Sequence, residues 1–268
     1  MKKVLTLILA LTLVLSLAAC GSSAADDKTI QVGASPAPHA AILEVAKEIL
    51  AEDGYTLEIV TFDDYVLPNK SLDAKELDAN YFQHITYMNN FNDEFGTNMV
   101  SAAGIHYEPF GIYAGKTAAL ADLQDGAKIA VPNDATNEAR ALLLLEQEGL
   151  IKLKDGAGIT ATKADIAENP KNLDIVETKA ELLTTVLQDV DVAVINGNYA
   201  INAGLEVKNA LAVEAADGAA AEAYVNVIAV NAGDENSEKI QALVKALKSD
   251  KVSSFIADTY EGAVVTVE

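Results

Sequence analysis

The stretch VPNDATNEARALLLLEQEGL, residues 131–150, combines the end of an apolar run with the start of a helical pattern. The polar cluster at its start contains Asp134 and Thr136, side chains that commonly cap helix N-termini. The apolar spacing predicts a helix from Thr136 to about Glu148, and Gly149 follows where a left-handed C-cap residue belongs. A buried strand that leads directly into a capped helix is the repeating unit of α/β proteins.

Arg140, the only arginine of the chain, falls about one turn into this helix. A cation is disfavoured there by the helix dipole, and no acidic residue lies three or four positions away to offset that cost. Free helix N–H groups, hydrogen-bonding side chains and a guanidinium together favour a small anion, most simply a carboxylate. An ordinary exposed arginine with a partner far along the chain explains the position equally well, and the stretch alone leaves both readings open.

Composition limits the partners and cofactors. The 268 residues carry a formal net charge of −21, which argues against nucleic acids and anionic lipid surfaces as partners. Half of the residues are apolar, so the chain can form a substantial core. One cysteine permits neither an internal disulfide nor a cysteine cluster for zinc or iron–sulfur, and we expect no cofactor and no metal.

The N-terminus is typical of a bacterial lipoprotein signal. Two lysines precede an apolar run from Val4 to Ala18, which is shorter than the roughly 20 residues of a membrane-spanning helix. The motif LAAC resembles a lipobox, which predicts a signal peptide over 1–19 and a lipidated, palmitate-bearing Cys20 as the mature N-terminus. Plain secretory cleavage before Cys20 is the alternative. Residues 20–28 are a short polar tether.

Strand and helix patterns alternate in two blocks, which predicts an α/β protein of two lobes. We assign residues 29–110 and 227–268 to lobe 1 and residues 111–226 to lobe 2, with two crossovers between them. Among the helix predictions is Lys179–Gln188 in lobe 2. The first β–α–β unit and the crossovers comprise Thr29–Gly33, Ala40–Glu52, Leu57–Phe62, Val100–Ala114 and Ala223–Val230.

Ligands of α/β sheets bind beyond the carboxyl ends of the strands, and a distinctive set of side chains falls there. One lobe contributes aromatic and imidazole groups, and the other contributes a guanidinium and carboxamides. Each of these residues has an ordinary structural explanation, but their convergence favours a small-molecule site. The set includes Tyr65, Tyr81, Phe82, His84, Tyr87, Asn137, Arg140, Asn196 and Asn226.

At these residues the chain resembles the NlpA family, the methionine-binding lipoproteins of bacterial ABC importers. The resemblance implies a two-lobed fold of the periplasmic-binding-protein type (type II). It also implies that the protein is not an enzyme, but a solute-binding lipoprotein. The matching segments are GASPAPHA (33–40), LDANYFQH (77–84), IAVPNDATNEARALLLL (129–145), ENPKNLDIVE (168–177), AVINGNYA (193–200) and AYVNVIAV (223–230).

The resemblance also implies roles for single residues and partners. Arg140 would pair with the carboxylate of L-methionine, and Asn137, Asn196 and Asn226 would hold its amino and carboxylate groups. The thioether pocket would be lined by Tyr65, Tyr81, Phe82, His84 and Tyr87. The protein would be a monomer, lipid-anchored on the extracytoplasmic face, that delivers the ligand to a permease and its ATPase. Another amino acid or a Met-containing dipeptide is the main alternative ligand, while an extracellular enzyme and an adhesin are the alternative classes.

Overall fold

The computed structural model describes residues 28–215 and 222–267; the predicted signal peptide and Cys20 lie outside the described residues. The helices are α1 (Ala41–Glu52), α2 (Leu67–Asp73), α3 (Ile85–Phe95), α4 (Ala135–Gln147), α5 (Gly197–Asn202), α6 (Glu238–Leu247) and α7 (Asp250–Tyr260). The strands are β1 (Thr29–Ala34), β2 (Thr56–Thr61), β3 (Ala79–His84), β4 (Met99–Tyr107), β5 (Gly111–Ala114), β6 (Lys128–Pro132), β7 (Lys152–Leu153), β8 (Ile166–Glu168), β9 (Asp174–Thr178), β10 (Val192–Ile195), β11 (Ala212–Val213), β12 (Asn226–Asn231) and β13 (Val265–Thr266).

The first lobe is built on a six-stranded sheet with the order β13-β4-β12-β3-β1-β2. Strand β1 pairs in parallel with β2, Thr29 opposite Thr56, which confirms the predicted β–α–β unit. Apolar side chains of α1, α6 and α7 pack on one face of this sheet, and those of α2 and α3 pack on the other. The central strands of this mixed sheet are therefore buried on both faces.

The second lobe is built on a five-stranded sheet with the order β11-β5-β10-β6-β9. Helix α4 follows β6 and packs on the sheet through Leu142 and Leu145. Asp134 caps this helix by accepting a 3.0 Å hydrogen bond from the Asn137 backbone N–H, and Gly149 has a φ of +68°. The cap and the terminating glycine expected from residues 131–150 are both confirmed.

The chain passes between the two sheets at two places near the site. Strand β4 belongs to the first sheet and β5 to the second, so residues 108–110 make one crossing. Strand β12 returns the chain to the first sheet, where it pairs antiparallel with β3 and β4. The two-lobed α/β fold is therefore as expected, while the lobe boundaries at 110/111 and 226/227 remain predictions.

The predicted helix Lys179–Gln188 is wrong. The structure has two short 3₁₀ turns there, Ala180–Leu182 and Leu187–Asp189. The run Thr184, Thr185 and Val186 contains three β-branched side chains in succession, which crowd the preceding turn of an α-helix. Within the described parts of the chain, no helix has both the length and the apolar character that crossing a membrane requires.

Candidate functional site

A narrow cavity lies between the two lobes. Residues from β3, α3 and the segment after β2 face residues from α4 and the start of α5. Eight of the nine side chains that the sequence predicts for the ligand site line this cavity. The lining residues are Tyr65, Phe82, Gln83, His84, Tyr87, Glu108, Asn137, Arg140, Asn196, Gly197, Asn198 and Asn226.

Tyr81 is the predicted residue that does not line the cavity. Neighbouring residues of a strand point to opposite faces of the sheet: Phe82 packs on the α2 and α3 side and lines the cavity, whereas Tyr81 points to the other side. Tyr81 packs in the core beneath α1 and α6, is 0% exposed, and donates its hydroxyl hydrogen to His106 Nδ1. Its placement does not support a direct contact with a ligand.

Tyr65, Phe82 and Tyr87 form an aromatic wall on the first-lobe side of the cavity. The ring of Tyr65 lies 5.8 Å from that of Phe82 and 5.7 Å from that of Tyr87, measured between centroids. Burial raises the pKa of Tyr65 well above its usual value, so its hydroxyl is neutral and donates to Asn198 Oδ1 at 2.5 Å. This wall suits an apolar, polarizable group such as a thioether.

Asn137 joins the polar groups of the two lobes at the cavity. Its Oδ1 accepts hydrogen bonds from Asn196 Nδ2 at 2.8 Å and from His84 Nε2 at 3.2 Å. His84 Nδ1 accepts from the Tyr87 backbone N–H, which places the imidazole hydrogen on Nε2. Burial, reinforced by the nearby Arg140, lowers the pKa of His84 to about 3, so this imidazole is neutral.

Two polar atoms at the start of α5, Asn196 Oδ1 and Asn198 Nδ2, have no hydrogen-bond partner among the described residues. Both atoms are buried, and an unpaired buried polar atom costs about 1–3 kcal/mol. One is an acceptor and the other a donor, and both residues line the cavity. The site can therefore satisfy one hydrogen-bond donor and one hydrogen-bond acceptor of a small molecule.

Arg140 has an acidic partner far along the chain. Its Nε donates to Glu214 Oε2 at 2.9 Å, its Nη2 donates to Glu214 Oε1, and Nη2 also donates to the Glu108 backbone carbonyl at 2.8 Å. Its guanidinium lies 4.2 Å from the ring centroid of Tyr224. Burial works to lower the pKa of Arg140, but Glu214 outweighs that effect and raises it. The arginine is only 4% exposed, so the expectation of an exposed residue is wrong, whereas the long-range partner exists.

Glu108 belongs to a buried network behind the cavity. His106 Nε2 lies 2.8 Å and His39 Nε2 3.3 Å from Glu108 Oε1, and His39 Nε2 also lies 3.0 Å from Asn226 Oδ1. Burial lowers the pKa of His39 to about 4 and that of His106 to about 3, so both rings are neutral. The donor atoms of His39, His106 and Glu108 lie within 4.8 Å of one another, but hydrogen bonds already engage them. We interpret the cluster as a hydrogen-bond network rather than a metal site.

Four lining residues, Gln83, Glu108, Gly197 and Asn198, are absent from the prediction. Asn198 follows Asn196 by two residues. Both residues therefore lie just beyond the carboxyl end of β10, and the signal that identified Asn196 could also have identified Asn198. Glu108 follows the end of β4, but the sequence shows only one extended segment from Val100 to Ala114 and does not reveal where that strand ends. Because the end of β4 cannot be recognised in the sequence, the rule that ligands bind beyond the carboxyl ends of strands does not point to Glu108.

Comparison with known proteins places the chain in a family. The family model described as NlpA lipoprotein matches residues 30–267. The methionine-binding lipoprotein MetQ of Bacillus subtilis is 41% identical over 94% of this chain and 93% of its own length. The chain belongs to the NlpA lipoprotein family. Members of this family are solute-binding lipoproteins and not enzymes, which confirms that expectation.

Solved structures of similar proteins share the fold of this NlpA lipoprotein. A lipoprotein structure from Ruminococcus gnavus is 57% identical and has a TM-score of 0.89. The match spans 90% of this chain and all of that one. A nutrient binding protein from Burkholderia cenocepacia, solved bound to methionine, is 43% identical with a TM-score of 0.85. This match spans 89% of this chain and all of that one. The two-lobed fold is thus shared with proteins that bind solutes.

A matched pair of substitutions tests which of two buried tyrosines, Tyr65 after β2 or Tyr81 on β3, faces the ligand. Tyr65→Phe and Tyr81→Phe each remove one buried hydroxyl, but only Tyr65 bonds a cavity residue of the opposite lobe. We expect Tyr65→Phe to weaken binding of the natural ligand by about 5- to 10-fold, the loss of one hydrogen bond. Tyr81→Phe should lower the melting temperature and change affinity less than about 3-fold. Isothermal titration calorimetry measures the two affinities. Equal losses of affinity for the two variants would contradict the placement of Tyr65 at the cavity and Tyr81 in the core.

Proposed function

We propose that this protein captures L-methionine in the cavity between its lobes and delivers it to the permease and ATPase of an ABC importer. Asn196 Oδ1 and Asn198 Nδ2, unpaired and opposite in hydrogen-bonding character, are the observation that carries the proposal. They match the ammonium and carboxylate groups of an amino-acid zwitterion. The aromatic wall accepts its thioether, with contacts worth about 0.3–1.5 kcal/mol.

Relatives support methionine among the amino acids. The Bacillus subtilis relative is named a methionine-binding lipoprotein, and the Burkholderia cenocepacia neighbour was solved bound to methionine. Asn226 turns its Oδ1 toward His39, which leaves its amide hydrogens for the cavity that it lines. Donors from Asn198, Asn226 and Arg140 would hold the ligand carboxylate. The acceptor of Asn196 would hold the ammonium.

Calorimetry on the purified, ligand-stripped protein tests the proposal. We expect L-methionine to bind with one site per monomer, and methionine methyl ester to bind at least about 10-fold more weakly because it lacks the carboxylate charge. Mass spectrometry of small molecules released from the protein as purified should find methionine. Release of another amino acid or a Met-containing dipeptide, together with no calorimetric response to methionine, would refute the choice of ligand.

We further propose that the mature protein is anchored through lipidated Cys20 on the extracytoplasmic face of the membrane. The support is the LAAC motif after the apolar run and the membership of a lipoprotein family. Intact-mass analysis of the protein extracted from membranes should show a chain that begins at Cys20 and carries diacylglycerol. A mature chain without added mass at Cys20 would contradict the anchor.

A further inference from the structure

Glu108 is the one acidic side chain among the described residues that line the cavity. It is 5% exposed, and it follows β4 at the crossing between the two lobes. A carboxylate at such a depth requires a compensating charge or several hydrogen bonds. The charged groups around Glu108 therefore indicate which charge a ligand group beside it would carry.

The positive groups near Glu108 do not supply a full counter-charge. Arg140 donates to the backbone carbonyl of Glu108, while its own charge is matched by the carboxylate of Glu214. His39 and His106 are close but neutral, for the reason given above. Burial raises the pKa of Glu108, although His39, Arg140 and the Asn198 backbone N–H act to lower it.

The two oxygens of the Glu108 carboxyl have different surroundings. Oε1 accepts from His106 Nε2, and His106 is in turn fixed by the Tyr81 hydroxyl. Oε2 lies against Gly197, so closely that a Cβ atom at residue 197 would be 2.7 Å away. Residue 197 is adjacent to Asn196, whose Oδ1 has no partner. A free acceptor and a carboxylate oxygen thus flank the same short segment of the cavity wall.

We propose that Glu108 binds the α-ammonium group of the ligand together with Asn196, so that the site selects compounds with a free primary amine beside the carboxylate. The ammonium supplies the counter-charge that the protein itself does not provide at Glu108. His106 holds the carboxyl in position from behind the cavity and acts only through Glu108. This inference rests on the proposed capture of an amino acid.

The experiment compares wild type and Glu108→Gln with two ligands, L-methionine and its des-amino analogue 4-(methylthio)butanoate. We expect Glu108→Gln to weaken methionine binding about 10- to 100-fold, as for loss of a charge-assisted hydrogen bond. Binding of the des-amino analogue should change less than about 3-fold, since it has no ammonium. Equal losses for both ligands, or unchanged methionine affinity, would overturn the proposal.

Two further measurements keep the test decisive. Glu138→Gln is the matched control, because Glu138 is also buried but accepts from the Lys163 backbone N–H and does not line the cavity. If Glu108→Gln does not fold, wild type alone decides: we expect 2-hydroxy-4-(methylthio)butanoate to bind at least about 10-fold more weakly than methionine. Equal affinity for the hydroxy analogue would overturn the inference, and a wild type that binds no methionine would overturn the proposed function with it.

Discussion

Arg140→Met is expected to lower the free energy of unfolding by about 3–5 kcal/mol and to weaken methionine binding about 10- to 100-fold. The stability loss follows because the substitution leaves Glu214 as a buried carboxylate without its counter-charge. The binding loss follows from the proposed role of Arg140 as a charge-assisted donor to the ligand carboxylate. Considered from the helix dipole alone, removal of Arg140 would cost little stability. The ion pair with Glu214 makes the expected loss of stability large instead.

The double variant Arg140→Met/Glu214→Gln separates the two effects. Glutamine keeps the oxygen that accepts from the Tyr107 hydroxyl and the Phe110 backbone N–H, and neither position of the pair carries a charge any longer. We expect chemical denaturation to show that most of the lost stability returns, while calorimetry shows that the affinity does not. Recovery of affinity together with stability would show that Arg140 is a structural ion-pair residue and does not contact the ligand.

Asn137→Ala is expected to weaken methionine binding by about 100-fold. The substitution removes the shared acceptor of Asn196 Nδ2 and His84 Nε2, so two buried donors lose their partner at once. Each unpaired donor costs about 1–3 kcal/mol, and 1.4 kcal/mol corresponds to a factor of ten in affinity. Because His84 and Asn137 belong to different lobes, the substitution also removes a hydrogen bond that joins the lobes at the cavity.

Asn92→Ala is the matched control for this substitution. The Asn92 side chain likewise makes several hydrogen bonds: it donates to Met99 O and accepts from the Met99 backbone N–H and the Thr97 hydroxyl, but it is not among the residues that line the cavity. Both variants should have lower melting temperatures, measured without ligand. Only Asn137→Ala should lose affinity, and a similar loss for Asn92→Ala would assign the effect to general destabilisation.

Some features of this protein follow from the sequence because their causes are local. The N-cap at Asp134 and the left-handed Gly149 depend on residues within a few positions of a helix end. The pairing of β1 with β2 follows from one helix between two apolar strands. Eight cavity-lining residues could be predicted because strand ends gather at one edge of a sheet, and because the matching family segments pass through six of them, all but Tyr65 and Tyr87.

Other features depend on partners far apart in the chain, and only the tertiary structure decides them. Glu214 lies 74 positions after Arg140, and no local pattern connects the two. All six residues of β3 are buried, so polar and apolar positions do not alternate. Without that alternation, the sequence cannot show that Phe82 faces the cavity and Tyr81 the core. Local interactions determine where strands and helices begin and end, whereas the packing of two lobes determines which buried groups meet.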